Sequence, residues 1–203
     1  MKYKSHIIIA ILLLGVFFPT KHTYALKILT DQLGRKVTIP DNPIRVVSLA
    51  PSITEIVFAL EQEYRLKGVT RFSDFPEAAK KLPIVGSYVH LDLEKIVSLK
   101  PDLCIAIKDG NPKVVISRLE SLHIPVYAVN PKNLKTVMET IHEIGIFLNA
   151  GKKAHSVVKN MKSRIQNVKT KTLNVIYRPR VFFQIGIAPI VSVGTHTFAH
   201  ELI

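Results

Sequence analysis

The sequence is short of cysteine and of acidic side chains, and each shortage limits what the protein can be. Cys104 is the single cysteine, so the chain can form neither an internal disulfide nor a thiolate metal cluster. Because Cys104 lies inside the apolar run LCIAI, we expect a buried and unreactive thiol. The 15 acidic residues are outnumbered by 28 lysines and arginines. The densest basic stretch, Lys152 to Lys171, falls on a predicted helix, which favours a solvated face open to an anionic lipid or ligand over a nucleic-acid surface.

Common catalytic motifs are also missing. The sequence contains no G-x-S-x-G elbow, no G-x-x-x-x-G-K-[ST] loop and no G-x-G-x-x-G turn, and it offers no recognisable pair of nucleophile and base. His196 and His200 are four residues apart and could share a metal on one helix, but no third ligand accompanies them. We therefore predict neither an enzyme nor a metal site. A zinc or manganese receptor and a surface or chaperone-like interaction module stay open as alternatives.

Residues 1–25 have the pattern of a secretory signal. Lys2 and Lys4 precede the uninterrupted apolar run from Ile7 to Phe18. Thr23-Tyr24-Ala25 then places small residues at the minus-three and minus-one positions of a cleavage site. The apolar run of 12 residues covers about 18 Å of a hydrocarbon core about 30 Å thick, which is too short for a membrane anchor. No cysteine follows the run to carry a lipid. We expect a periplasmic mature protein without a lipid anchor.

Strand and helix patterns alternate through the rest of the chain. The predicted strands are Val46 to Ala50, Leu66 to Thr70, Leu103 to Ile107 and Pro125 to Val129. The predicted helices are Leu91 to Leu99, Pro112 to Leu122, Leu134 to Leu148 and Gly151 to about Lys171. A further helix should start at Ser52-Ile53-Thr54-Glu55, which has the form of a capping box. Such alternation predicts an α/β fold, with a parallel sheet covered by helices.

Strand patterns start again near the end of the sequence. Arg180 to Gly186 and Pro189 to Gly194 resemble strands, and the helix-like segment FAHELI follows them. Two strands and one short helix leave apolar faces without cover. We therefore expect a fragment of a longer two-lobed protein, truncated at its C-terminal end.

Four segments carry a family resemblance: DQLGRKVTIPDNPIRVVSLAPSITEIVFAL, RFSDFP, VGSYVHLDLEKIVSLKPDLCIA and RLESLHIPVYAV. Their ordered series resembles the substrate-binding proteins of bacterial ABC importers for vitamin B12, iron-siderophores and haem, and most resembles the cobalamin-binding branch. The likeness covers nearly the whole mature chain. It implies two α/β lobes joined by one long rigid helix, with the ligand held in the cleft between the lobes.

The resemblance also implies an organisation of the chain. Residues 26–132 would be the N-terminal ligand-binding lobe, residues 133–171 would contain helices that include the interlobe helix, and residues 172–203 would begin the C-terminal lobe. The protein would work as a monomer that delivers its ligand to a membrane permease with an attached ATPase, and it would need no cofactor.

Candidate ligand-binding residues lie after the predicted strands. In a parallel sheet, ligands bind beyond the carboxyl ends of the strands, where helix N-termini present free N–H groups. The Pro51-Ser52 turn occupies such a position, and so do Ile107 and Lys108. By resemblance, Phe75 and Tyr88 also face the ligand, since aromatic rings match the flat faces of a corrin, a porphyrin or a siderophore catechol.

One further expectation follows from the resemblance, and two features of the sequence bear on the choice of ligand. Glu94 matches the acidic residue of the first lobe that pairs with arginines of the permease. His90 lies near Tyr88 and could reach a haem iron or a cobalt. Cobalamin binders commonly carry aromatic side chains, often tryptophan, at the positions that match Tyr88 and Ile107, whereas this chain has no tryptophan. A haem or ferric-siderophore receptor of the same fold is therefore the alternative to a cobalamin receptor.

Overall fold

The computed structural model describes residues 25–195 and 197–203. The predicted signal segment, apart from Ala25, lies outside the described residues. The first elements are β1 (Leu26–Thr30) and β2 (Lys36–Pro40), which form an antiparallel hairpin. Its turn is held by Asp31, whose carboxylate accepts hydrogen bonds from the backbone N–H groups of Leu33 and Arg35. This carboxylate also pairs with the Arg35 guanidinium at 2.7 Å.

The core of the fold is a four-stranded sheet with strand order β4-β3-β5-β6, in which every neighbouring pair is parallel. Its elements, in chain order, are β3 (Val46–Ser48), α1 (Pro51–Ala59), β4 (Leu66–Gly68), α2 (Leu93–Ser98), β5 (Leu103–Ile107), α3 (Lys113–Ser121) and β6 (Val126–Val129). Short 3-10 helices occupy Glu63–Arg65 and Glu77–Lys81. The predicted parallel sheet is confirmed, and it lies between two groups of helices.

Apolar side chains from both faces of the sheet form two core clusters. One cluster joins the sheet to α1 and to the helices after β6, and the other joins it to α2 and α3. Cys104 belongs to the second cluster and is fully buried, as predicted. Burial raises the pKa of its thiol far above the ordinary value, because a thiolate loses its hydration there.

The predicted capping box at the start of α1 is wrong. The N-cap residue is Ala50, which makes no side-chain capping bond, and the helix begins at Pro51. Proline suits the first helical position because its nitrogen has no hydrogen to be capped and its φ is already helical. Ser52 is consequently the second residue of the helix and is exposed. Its hydroxyl is not used in capping.

Two long helices follow the sheet. They are α4 (Leu134–Phe147), which Asn133 and Thr136 cap reciprocally, and α5 (Gly151–Thr172). The helices approach so closely that a Cβ added at Gly145 would lie 2.4 Å from the Cβ of Ala154, so glycine is required there. At 22 residues, α5 is about 33 Å long. The predicted long helix is confirmed.

The remaining elements are shorter than their sequence patterns predict. They are β7 (Gln184–Gly186) and β8 (Val191–Ser192), which pair antiparallel, and α6 (Phe198–Leu202). Several large apolar side chains of this part are exposed, among them Phe182, Phe183, Ile185, Ile187 and Ile190. Among the described helices, none is long and apolar enough to cross a bilayer. The division of the chain into two lobes with boundaries near residues 132 and 171 stays a prediction.

Candidate binding site at the carboxyl edge of the sheet

The loops after β3, β4, β5 and β6 meet at one edge of the sheet, since all four strands run in the same direction. This carboxyl edge is where open α/β sheets hold their ligands. It carries the ligand-contacting residues predicted from the sequence: Pro51 and Ser52 after β3, Phe75 and Tyr88 in the segment between β4 and α2, and Ile107 and Lys108 at the end of β5.

Four buried hydroxyl groups, the hydroxyl cluster, fix the first two of these loops. They belong to Ser48, Thr54, Thr70 and Ser73. The oxygen of Thr54 lies 2.8 Å from that of Ser48 and 3.0 Å from that of Ser73, which in turn lies 3.1 Å from that of Thr70. The end of β3, the start of α1 and the loop after β4 are therefore linked by hydrogen bonds beneath the surface. Buried hydroxyls without partners would be costly, so this geometry is strongly constrained.

Asn111 links the remaining loops. Its Nδ2 donates to the carbonyl oxygen of Leu49 at 2.8 Å and to that of Tyr88 at 2.7 Å. Its Oδ1 accepts a hydrogen bond from the backbone N–H of Ile107 at 2.8 Å. A single buried side chain thereby joins three segments of the edge. Asn111 was not predicted from the sequence, where its only signal is an amide side chain in the turn sequence KDGNP.

An apolar groove opens beside Ser52 and Phe75. It lies between α1, α4 and α5 and has a volume of about 880 Å³, within the usual range for small-molecule sites. Phe75 is 67% exposed at the groove. The groove thus brings together Ser52 and Phe75, two of the residues predicted to contact the ligand. The other lining residues are Ile53, Glu55, Ile56, Phe58, Ala59, Pro76, Val129, Pro131, Val137, Thr140, Ile141, Val157, Met161, Arg164 and Phe198.

Tyr88 lies outside the groove, with its ring against Gly110. A Cβ on Gly110 would lie 2.4 Å from the ring, and the φ of this residue is +130°, so only glycine is accommodated. Tyr88 remains 38% exposed. The ring is therefore partly free to contact a ligand, and its position depends on Gly110 beneath it.

Ile107 and Lys108 line a second, smaller recess of about 230 Å³. Ile107 is half-buried at the end of β5, and the backbone N–H of Lys108 donates to the carbonyl oxygen of Val129. The recess also contains Asn111 and the cationic side chains of Arg35 and Lys113. Four of the predicted residues are thus divided between two recesses of the same edge, and Pro51 and Tyr88 line neither of them.

Glu94 is exposed in the first turn of α2. The turn is capped by Asp92, whose side chain accepts a hydrogen bond from the backbone N–H of Lys95 at 3.1 Å. This hydrogen bond lowers the pKa of Asp92. Among the described residues, Glu94 forms no ion pair. Its carboxylate is available to a partner.

The histidines are dispersed. His90 is exposed in the loop that holds Tyr88, and His200 is exposed on α6. His196 lies outside the described residues. Within the part of the chain that the structure describes, no group of three or more histidine, cysteine or acidic side chains is arranged to hold a metal ion.

The fold and the position of the site agree with one protein family. The family described as periplasmic binding protein matches residues 46–202, which is more than half of the chain. The chain therefore belongs to the periplasmic binding protein family. The family predicted from the sequence is confirmed.

Relatives and solved structures give finer similarities. The vitamin B12-binding protein of Vibrio vulnificus (strain CMCP6) is 34% identical over 167 residues, which are 82% of this chain and 61% of that protein. The vitamin B12-binding protein of Yersinia pestis (strain Pestoides F) is 30% identical over 159 residues, which are 78% of this chain and 56% of that protein. The chain thus spans about three fifths of the length of these binding proteins.

Two solved structures of binding proteins have the same fold. The periplasmic vitamin B12 binding protein BtuF of Vibrio cholerae superimposes with a TM-score of 0.71 at 28% identity, over 79% of this chain and 62% of that chain. A periplasmic heme binding protein from Pseudomonas aeruginosa gives a TM-score of 0.67 at 28% identity, over 71% of this chain and 53% of that chain.

The role of Asn111 can be tested by substitution. Asn111→Ala removes three hydrogen bonds and leaves the buried carbonyl and N–H groups of the edge without a partner, so we expect a loss of about 2–4 kcal/mol in the free energy of unfolding. Asn160→Ala, on the exposed surface of α5, is the matched control and should change the stability by less than about 0.5 kcal/mol. Urea unfolding followed by circular dichroism measures both. Equal stabilities of the two variants would contradict the linking role.

Proposed function

We propose that this chain contains the ligand-binding part of the substrate-binding component of an ABC importer, and that its ligand is cobalamin or a related corrinoid. The observation that supports the proposal best is the exposed aromatic pair, Phe75 and Tyr88, on loops that buried hydrogen bonds hold at the carboxyl edge of a parallel sheet. Membership in the periplasmic binding protein family and the vitamin B12-binding relatives support the same function.

Each candidate residue has a physical role in this proposal. The rings of Phe75 and Tyr88 supply flat apolar contact area, and neither ring loses much conformational freedom on binding. Pro51 starts α1 at the edge and leaves the hydroxyl of Ser52 free to bond to the ligand. In the smaller recess, Ile107 offers a short apolar wall and Lys108 offers a cation. The cation suits the amide and phosphate groups at the periphery of a corrinoid.

The proposed mechanism is capture without a chemical step. A ligand held between two lobes contacts a second wall in addition to the carboxyl edge described above, and α5 is long enough, at about 33 Å, to connect two such lobes. The loaded protein, a monomer outside the cytoplasm, would then dock on the permease while an ATPase supplies the energy.

Haem is the second candidate ligand. A porphyrin is as flat as a corrin and can use the same aromatic side chains, and the haem-binding neighbour from Pseudomonas aeruginosa is as similar in sequence as the vitamin B12-binding one. The lack of tryptophan also removes a side chain that is common in cobalamin receptors. The choice between the two ligands therefore requires a direct comparison of affinities.

A calorimetric titration with cyanocobalamin, haemin and a ferric siderophore tests the ligand class. A nanomolar complex corresponds to about −12 kcal/mol, and one wall that supplies half of this gives a Kd on the order of tens of micromolar. We expect this chain to bind cyanocobalamin in that range and to prefer it to the other two ligands. Preference for haemin would favour the second candidate, and no saturable binding of any of the three would contradict the proposed function.

Substitution of the aromatic side chains tests the site itself. Phe75→Ala and Tyr88→Ala should each raise the Kd about tenfold, since each removes most of an aromatic contact. Tyr64→Ala is the matched control, because Tyr64 is 63% exposed but precedes β4 at the opposite edge of the sheet. Its Kd should equal that of the unsubstituted chain. Equal Kd values for all three variants would contradict the proposal that Phe75 and Tyr88 contact the ligand.

Glu94 is proposed to dock the protein on the permease. We expect Glu94→Lys to reduce uptake of the ligand by permease-containing proteoliposomes about three- to tenfold, because an attractive contact becomes repulsive, while the Kd for the ligand stays unchanged. Glu63→Lys has the same charge change at an exposed position near the amino edge of the sheet and serves as the control. Unaltered uptake with Glu94→Lys would contradict the docking role.

A further inference from the structure

One exposed face of α5 carries only cationic and neutral side chains. Four lysines define this lysine face: Lys152, Lys159, Lys162 and Lys169. At 100° of rotation per residue they fall within an arc of about 100°, together with His155 and Gln166. The opposite side of the helix is apolar and packs against the core through Ala154, Val157, Val158 and Met161. The lysine face is therefore turned outward along most of the helix.

No acidic residue that is close in sequence to the lysine face balances its positive charge. Residues 144–200 include no aspartate and no glutamate. Of the ion pairs that the structure describes, the only one made by α5 joins Lys153, on another side of the helix, to Glu61 of a different element. In the described part of the chain the four lysines of the face have no acidic partner within ion-pair distance. The face thus presents an uncompensated line of positive charge about 25 Å long.

We propose that the lysine face binds the surface of an anionic phospholipid membrane. Lysine ammonium groups act as point charges, which suits attraction to a diffuse layer of lipid headgroups, whereas the bidentate geometry of arginine is preferred for specific contacts with phosphates and bases of nucleic acids. The face contains lysine but no arginine, and no phenylalanine, tyrosine or tryptophan on which a base could stack. These features favour a lipid surface over a nucleic acid.

The candidate ligand site does not overlap this face. The site residues lie on loops at the carboxyl edge of the sheet, and the groove is lined by the inward-facing Val157 and Met161 of α5 together with Arg164. Membrane contact through the lysine face leaves Phe75 and Tyr88 accessible. A weak attraction of this kind would concentrate the protein at the membrane, where a permease is located. The choice of a membrane as the partner rests on the proposed transport role. The ligand titration tests that role separately, so failure of the transport role and failure of membrane binding can be distinguished.

Co-sedimentation with phospholipid vesicles tests the proposal. The purified chain should sediment with mixed phosphatidylcholine–phosphatidylglycerol vesicles and not with pure phosphatidylcholine vesicles. Binding should decline steeply as ionic strength rises above about 0.1 M, where the Debye length is about 10 Å. Each lysine close to an anionic surface strengthens binding about fivefold, so replacing all four lysines by glutamine should lower the apparent partition coefficient at least about a hundredfold at low salt.

Matched variants separate the lysine face from net charge alone. The test variant carries Lys152→Gln, Lys159→Gln, Lys162→Gln and Lys169→Gln, and the control variant makes the same exchange at four exposed lysines elsewhere: Lys36, Lys81, Lys100 and Lys132. Both variants should melt like the unsubstituted chain, because all eight side chains are exposed.

The control variant should retain most of the vesicle binding, whereas the test variant should lose it. Equal losses in the two variants would show attraction by net charge only and would overturn the proposal. Tighter binding to duplex DNA than to anionic vesicles, with the same dependence on the lysine face, would overturn the choice of partner. Binding that is equal for neutral and anionic vesicles would overturn the electrostatic basis.

Discussion

Two residues before the exposed Phe75, the hydroxyl of Ser73 is hydrogen-bonded to that of Thr54, which is also bonded to that of Ser48, and all three residues are buried. Each of these groups would cost free energy if it were buried without a partner, so the loop after β4 cannot shift without breaking the bond between Ser73 and Thr54 of α1. The geometry of the groove depends on this constraint. An aromatic side chain can remain exposed at the groove because buried hydrogen bonds fix the backbone that carries it.

Asn111 extends the same constraint to the rest of the edge. The segments that hold Tyr88 and Ile107 are bonded to its amide, and Leu49 bonds to it from the end of β3. A ligand that binds to loops already held in place does not have to immobilise them, which reduces the entropic cost of binding. The site is therefore organised by buried polar contacts, whereas the contacts that it offers to a ligand are largely apolar and aromatic. This combination suits a large flat molecule held without a chemical step.

The sequence predicted the parallel sheet and the long helices because their apolar periodicities are local and strong. It predicted the start of α1 incorrectly, since the capping-box pattern at Ser52 competes with Pro51, which fits the first position of a helix without a capping side chain. It did not reveal Asn111 or the hydroxyl cluster. Thr54 and Ser73 are 19 residues apart, and no local pattern indicates that their side chains meet. Gly110 was likewise missed. The requirement for glycine at this position becomes visible only when the ring of Tyr88 lies against it.

The central claim is that the fixed loops of the carboxyl edge contact the ligand, and hydrogen–deuterium exchange measures this contact directly. We predict that saturating cyanocobalamin slows amide exchange in residues 50–56, 70–77, 86–91 and 107–111, whereas residues 26–40 of the hairpin exchange as they do without ligand. Protection confined to other segments, or no change in exchange when binding is saturated, would contradict the account.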